Sequence, residues 1–518
     1  MRSPILFICF FVLINSLILT AQPTSTFERA FGTAYNDYGY SLHRDINYNY
    51  FVAGETWGYS GGDNSDIYLV KFDSTGKFLW AENYGDSSNE KGMCLLQHSS
   101  GDFFILGNYS DSGNADVHLM LSRIDQNGNL LWSIKYNSGI NKTRKADKMV
   151  FLPNGNIAIA GTTIERFSAS LDYKGFIEIL DISGNILQTK EYFLGQETNF
   201  SDLIVSSDGK INVCGDAFYN TEKNLFLLKA DLNGDTIWCR KYSFNEAIHS
   251  ECLIQLPDNK IAISGQQDVY HPKSFYHCTD STGTTIYYHR LSNGYYDITY
   301  NLAVSPSTFN LYSAQTYSNF ITNMSCQIID TTGTVSSHNF FFYTNVSQSF
   351  YTSTASDIDY FEVQGNLPCV TLAGTTTIGG YGGSDIGIVH TYASMQTPSE
   401  FNRPVISRDS FNLLCPGDSV LVYVDSNYFP IHHWLDVYNF NNYLPNTSDS
   451  IWLNEQLRSI CLVGMDLDSN LWISNVGGAL YYDTIHPAIT LIGNGNFCFT
   501  ENAPPILKIT NFTNQNRY

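Results

Sequence analysis

The turn Asp-x-x-Gly returns along this chain at nearly constant spacing, and that return limits the possible folds more than any single motif does. It occurs as "DSTG" (Asp73, Gly76), "DQNG" (Asp125, Gly128), "DISG" (Asp181, Gly184), "DLNG" (Asp231, Gly234), "DSTG" (Asp280, Gly283) and "DTTG" (Asp330, Gly333), at intervals of 52, 56, 50, 49 and 50 residues. An aromatic stands seven residues after the aspartate, as Trp80, Trp132, Trp238 and Tyr287; Gln188 and Ser337 take its place in the third and sixth copies. Between these anchors a short strand ends in a small residue and a glycine, at Gly54, Gly107, Gly161, Gly215, Gly265 and Gly374, with Ala314 as the degenerate copy. Turns such as "SSGD", "PNGN" and "PDNK" precede these strands. They are hairpin signals, because glycine and asparagine supply positive φ.

Each unit therefore holds four short strands and three polar turns. One four-stranded sheet cannot cover both of its faces, whereas sheets set around an axis cover one another, which is the logic of a β-propeller. The small residues before the marker glycines (Ala53, Ala160, Cys214, Ser264, Ala373) suit close approach between blades. The ends of the array point to closure. "FERAFG" at 27–32 matches "WAENYG" at 80–85, with Phe27 at the tryptophan place, and the last unit stops one strand short after "SDIGIVHTYAS". Strand 27–32 is expected to complete the blade begun near 335, beside the segment around Asp385. The expected fold is all-β: a seven-bladed propeller of four-stranded blades over 24–396, closed by the N-terminal strand.

Residues 1–21 read as a secretory signal, with a basic start, a short apolar core and a small residue near the end. No other stretch approaches the length of a membrane span. The net charge of −21, from 49 acids and 28 bases, leaves no basic footprint for nucleic acid. Eleven scattered cysteines without C-x-x-C argue against a zinc site and a dense disulfide framework.

"GGSDIGIV" and "GGDNSDIYLVKFDSTGKFLW" resemble the repeats of secreted bacterial β-propellers, the SBBP type common in Bacteroidetes, over about 27–395. The resemblance implies export through type IX secretion with a C-terminal sorting domain; no such domain is visible. The D-x-x-G turn is similar to the Asp-box of sialidases, which has one residue fewer between Asp and Gly, so no sialidase chemistry carries over. After a linker at 397–403, "CPGDSV", Trp434 and "SICLVGMD" resemble the Ig-like modules of such proteins. That implies a β-sandwich over 404–485. The spacing from Pro487 to Cys498 repeats that from Pro404 to Cys415, so 486–518 reads as the start of a second, truncated module. Cys415, Trp434 and Cys461 are similar to the Cys–Trp–Cys core of Ig domains. A Cys415–Cys461 bridge and two free buried cysteines both stay open.

The search for chemistry is largely negative. "GYSGG" at 58–62 fits G-x-S-x-G, but a strand pattern follows where the nucleophile elbow needs a helix, and Gly382 replaces the serine in the last copy. His432 and His433 are adjacent in a strand and face opposite sides, so they do not grip one metal. "DQNGN" and "DLNGD" hint at calcium, yet the EF-hand register is missing and an Asp-capped turn explains them better. No cofactor and no metal ligands are assigned. The loops after the marker glycines offer Trp57, Tyr59 and Tyr270 for stacking on a sugar or peptide, against the plainer reading of loop packing. The expected function is a secreted or cell-surface scaffold for extracellular interaction or adhesion with a protein or glycan, without catalysis. The competing reading is a glycan-directed extracellular hydrolase. Two or three inward carboxylates with perturbed pKa at one mouth of the ring would favour that reading.

Overall fold

The computed structural model describes residues 26–393 apart from several connecting loops, and beyond them short strands between Ser407 and Ile509. The signal segment 1–21 lies outside the described residues. Twenty-eight antiparallel strands over the first region form four-stranded sheets in a propeller-like arrangement. Sheets one to six run over 37–84, 89–136, 142–192, 197–242, 248–290 and 296–341. The third and fourth are joined by one parallel pair, Tyr173 with Glu197. The seventh sheet takes three strands from 353–392 and its fourth from Phe27–Phe31. Phe27 pairs with His390 and Phe31 with Ile386. The N-terminal strand thus lies beside the segment around Asp385. The sheet that it completes begins at Ser353, a correction to the expected 335, since Val335–Phe341 is the last strand of the sixth sheet.

Both sequence markers are joints. In the D-x-x-G turn the aspartate Oδ1 accepts two backbone N–H groups, from Thr75 at 2.8 Å and Lys77 at 3.0 Å in the first copy. Gly76 holds φ at 78°, which its missing Cβ allows. This turn glycine then seats on the fourth strand of the preceding sheet. Tyr84 Oη donates to Gly128 O at 2.7 Å, Tyr136 Oη to Gly184 O at 2.7 Å, and Tyr242 Oη to Gly283 O at 2.6 Å. Trp80, Trp132 and Trp238 lie against the same three glycines. At the N-terminal strand, Phe27 meets Gly76 and Arg29 Nε donates to Gly76 O at 3.2 Å. Phe27 therefore does occupy the tryptophan's role.

The marker glycine answers a constraint within its own sheet. The first strand of every sheet carries a β-bulge opposite it, as between Gly39 and Ser41 or between Gly92 and Cys94. A bulge adds one unpaired residue and bends the strand. At Gly107 an added Cβ would lie 2.7 Å from Lys91 O, and at Gly54, Gly161, Gly215, Gly265 and Gly374 it would meet the corresponding carbonyl. In the sixth sheet the bulge lies opposite Gln315 and Ala314, so Gln315 and not Ala314 takes the glycine's place.

The first strands touch their successors from sheet to sheet, and Ser353–Phe361 touches Asp37–Arg44. Between sheets the side chains form separate apolar clusters, such as Phe51, Leu69, Ile105 and Met120 between the first and second. The strands from Ser407 onward pair into three small sheets, in which Cys461 lies opposite Leu435.

The bulge contact yields a direct prediction. Gly107→Ala should cost about 3 kcal/mol in chemical denaturation, because the Lys91 carbonyl and the bulge must move. Loss of less than about 0.5 kcal/mol would mean the bulge is not tightly held.

Candidate functional site

The bulged residues are Tyr40, Met93, Asp147, Ser201, Glu251, Tyr300 and Ser356, one from each first strand. All seven line one cavity of about 410 Å³. Lys145, Asn199, Phe200, His249, Thr162 and Thr354 share its wall. The cavity is thus built from the N-terminal halves of the first strands, on the side where the loops after the marker glycines also lie.

One stretch of wall carries coupled ionisable groups. His249 Nδ1 is 2.5 Å from Asp216 Oδ2, and its Nε2 is 3.5 Å from Glu251 Oε1. Lys223 Nζ and Asn199 Nδ2 hold the other Asp216 oxygen, at 2.7 and 3.0 Å. Burial alone would raise Asp216, but His249 and Lys223 bring it below its ordinary value. Burial likewise opposes the imidazolium, and the Asp216 hydrogen bond overrides it, so His249 sits above its usual value. Glu251 is 22% exposed, and desolvation pushes it up to about 7, with Asp147 adding to the rise and His249 opposing it. Glu251 on the wall and Asp216 buried behind it thus differ in proton affinity.

Tyr40 Oη donates to Glu55 Oε1 at 2.7 Å, and Lys91 Nζ holds the same oxygen at 2.9 Å. Tyr300 is raised to about 12 by burial, so its hydroxyl stays protonated at neutral pH. Lys145 is exposed and makes no ion pair among the described residues.

The next residues of the first strands bond from sheet to sheet, and of them Lys148 also lines the cavity. Asp357 Oδ2 accepts from Leu42 N at 2.7 Å and from Ser41 Oγ at 3.2 Å, while Asn301 Nδ2 donates to its Oδ1. Asp202 Oδ2 accepts from Leu253 N at 2.7 Å. Ser41 Oγ accepts from Leu95 N at 3.1 Å. Each of these bonds reaches into another sheet. Lys148 lies among them. Burial disfavours its charge, but Asp357 and Asp202 hold it above the ordinary lysine value.

Of the residues named from sequence, Trp57 and Tyr59 lie away from this cavity. Trp57 is half-buried on the loop after Thr56, with its N–H on Asn36 O, and Tyr59 is 53% exposed against the Tyr68 ring. Neither lines the cavity. Tyr270 and Cys415 lie outside the described residues, and Cys461 is placed only by its strand. The aspartates of the calcium-like turns spend their carboxylates on their own turns: Asp125 takes Asn127 N, Asn129 N and Asn129 Nδ2 at 2.8–2.9 Å.

No family model matches the chain, and no curated protein matches it. Several solved structures align with the chain at low similarity. A polysaccharide lyase, an ulvan lyase bound to a GlcA–Rha3S saccharide, aligns with a TM-score of 0.45 and 9% identity over 70% of this chain and 96% of that one. The polysaccharide lyase Uly1 gives 0.42 and 10% over 68% and 90%. Puromycin hydrolase gives 0.41 and 12% over 74% and 58%. The expectation of a scaffold without catalysis is corrected: the similar structures named here are two lyases and a hydrolase, and the cavity wall carries one carboxyl, Glu251, raised to about 7.

Lys148 gives the second prediction. Lys148→Met should destabilise the chain by about 3 kcal/mol, since it leaves Asp202 and Asp357 buried without their cation. A thermal melt unchanged from the parent would show that the lysine does not neutralise them.

Proposed function

We propose that this chain is a secreted glycan hydrolase whose acid–base pair sits in the central cavity of a closed, seven-bladed, SBBP-like propeller, with an Ig-like module following. The observation that carries the reading is Glu251, a carboxyl raised to about 7 that lines the same cavity as the Asp147 carboxyl. Hydrolysis of a glycosidic bond needs one carboxylic acid and one carboxylate. Glu251 gives its proton to the leaving oxygen as the C1–O bond breaks. Asp147 takes a proton from water as that water's oxygen bonds to C1, and the protons balance as one water is added. His249, held by Asp216, sits 3.5 Å from Glu251 and returns it to its working orientation after the transfer. The wall supports a sugar ligand: Tyr40, Phe200 and Tyr300 offer aromatic faces, and Asn199, Ser201 and Thr162 offer hydrogen-bonding groups.

The test is turnover of a polysaccharide panel by the full chain, read as new reducing ends. Glu251→Gln and Asp147→Asn should each lower the rate by roughly 10²-fold or more at unchanged melting temperature. Because Glu251 works protonated, the rate should hold in mildly acidic buffer and fall as pH rises through about 7. Turnover that survives both substitutions, or binding without turnover on every glycan, would overturn the assignment.

A further inference from the structure

We propose a calcium site at the joint between the seventh and first sheets, formed by the carboxylates of Asp37 and Asp385. Both residues are 0% exposed. Among the described residues neither Asp385 oxygen has a hydrogen-bond partner, nor has Asp37 Oδ1. The other Asp37 oxygen accepts from Thr33 N at 2.5 Å. The two carboxylates converge on Gly32: a Cβ there would run into Asp385 Oδ1 and lie 2.7 Å from Asp37 Oδ2. Two buried carboxylates at this separation are costly unless a cation or a shared proton lies between them.

The molecule contains its own control. The joint between the first and second sheets has the same construction. Asp37 N bonds Ser384 O as Glu90 N bonds Ser65 O, so Asp66 and Glu90 are the counterparts of Asp385 and Asp37. There the acids are provided for. Asn83 Nδ2 donates to Asp66 Oδ2 at 2.7 Å, and Lys135 Nζ reaches Glu90 Oε1 at 2.7 Å. In the closing joint Ala30 stands at the place of Asn83, opposite Gly387 as Asn83 is opposite Tyr68. Asn83 in turn stands at the place of Lys135, and it is spent on Asp66. Both protein partners are therefore lost where two acids remain.

The pair suits a hard dication. The three buried oxygens without partners among the described residues are carboxylate oxygens, the donors that Ca²⁺ prefers, and Ca²⁺ completes its shell with backbone carbonyls and water. No set of three or more His, Cys, Asp or Glu gathers among the described residues, so the protein carboxylates alone do not fill that shell. The site would tie the N-terminal strand and the turn after it to the last strand of the array.

The experiment is calorimetric titration of the EDTA-treated full chain with CaCl₂, with melting temperature as a second readout. One Ca²⁺ per chain should bind, and about a hundredfold excess over Kd should raise the melting temperature by roughly 4 °C. Asp385→Asn and Asp37→Asn should each weaken uptake at least about tenfold. Each should also melt no lower than the parent in EDTA, because each removes one of two opposed charges. No uptake by the parent chain, or uptake unchanged in both variants, would overturn the site and point instead to a proton shared by the pair. Neither result bears on turnover at Glu251.

Discussion

The contact between a marker glycine and the bulged carbonyl opposite it sets the geometry of everything nearer the axis. Without a side chain at Gly107, the Lys91 carbonyl can bow toward the second strand and Met93 is pushed out of the pairing register. Repeated from sheet to sheet, the same bow delivers one unpaired residue per first strand to a shared cavity. The backbone is specified by repetition, while the side chain at the bulge is released from it. This division lets a uniform scaffold carry a non-uniform site.

Charge follows the same separation. Away from the cavity the joints between sheets are local: tyrosine hydroxyls on glycine carbonyls, indoles on turn glycines, Arg29 on the Gly76 carbonyl and the exposed Lys190–Asp235 pair. Toward the axis they are ionic, with Lys148 near Asp202 and Asp357, and His249 between Asp216 and Glu251. Burial makes each of these groups depend on its neighbour. Their proton affinities therefore spread, from a lowered Asp216 to a raised Glu251. A wall of this kind can supply a proton and accept one, and nothing in the repeat itself encodes that ability.

The sheets were legible in the sequence because turns have strict chemistry. D-x-x-G needs both its aspartate and its glycine, and each survives in six copies. The pairing of Phe27 with His390 was legible because one strand was missing at one end and surplus at the other. The cavity was not legible by residue type: Tyr40, Met93, Asp147, Ser201 and Glu251 share no chemistry. A positional signal existed. Each of these five stands 14 residues before its marker glycine. Trp57, Tyr59 and Tyr270 stand out in the sequence instead, since aromatic loops look like binding surfaces. The sixth copy misled by one residue because Ala314 resembles a marker, whereas Gln315 faces the bulge. Asp37 and Asp385 gave no signal singly, because their meaning arises only when distant ends of the chain adjoin.

The most direct measurement is a cross-link across the cavity between two bulge positions on well-separated sheets. Ser201→Cys and Ser356→Cys, combined in a Cys239→Ser background to remove the native thiol that is exposed among the described residues, should be joined within one chain by a short bifunctional thiosulfonate. Peptide mapping would then find the two segments bridged. Separate, unbridged modification of both cysteines would contradict the claim that the bulges deliver their residues to a common cavity.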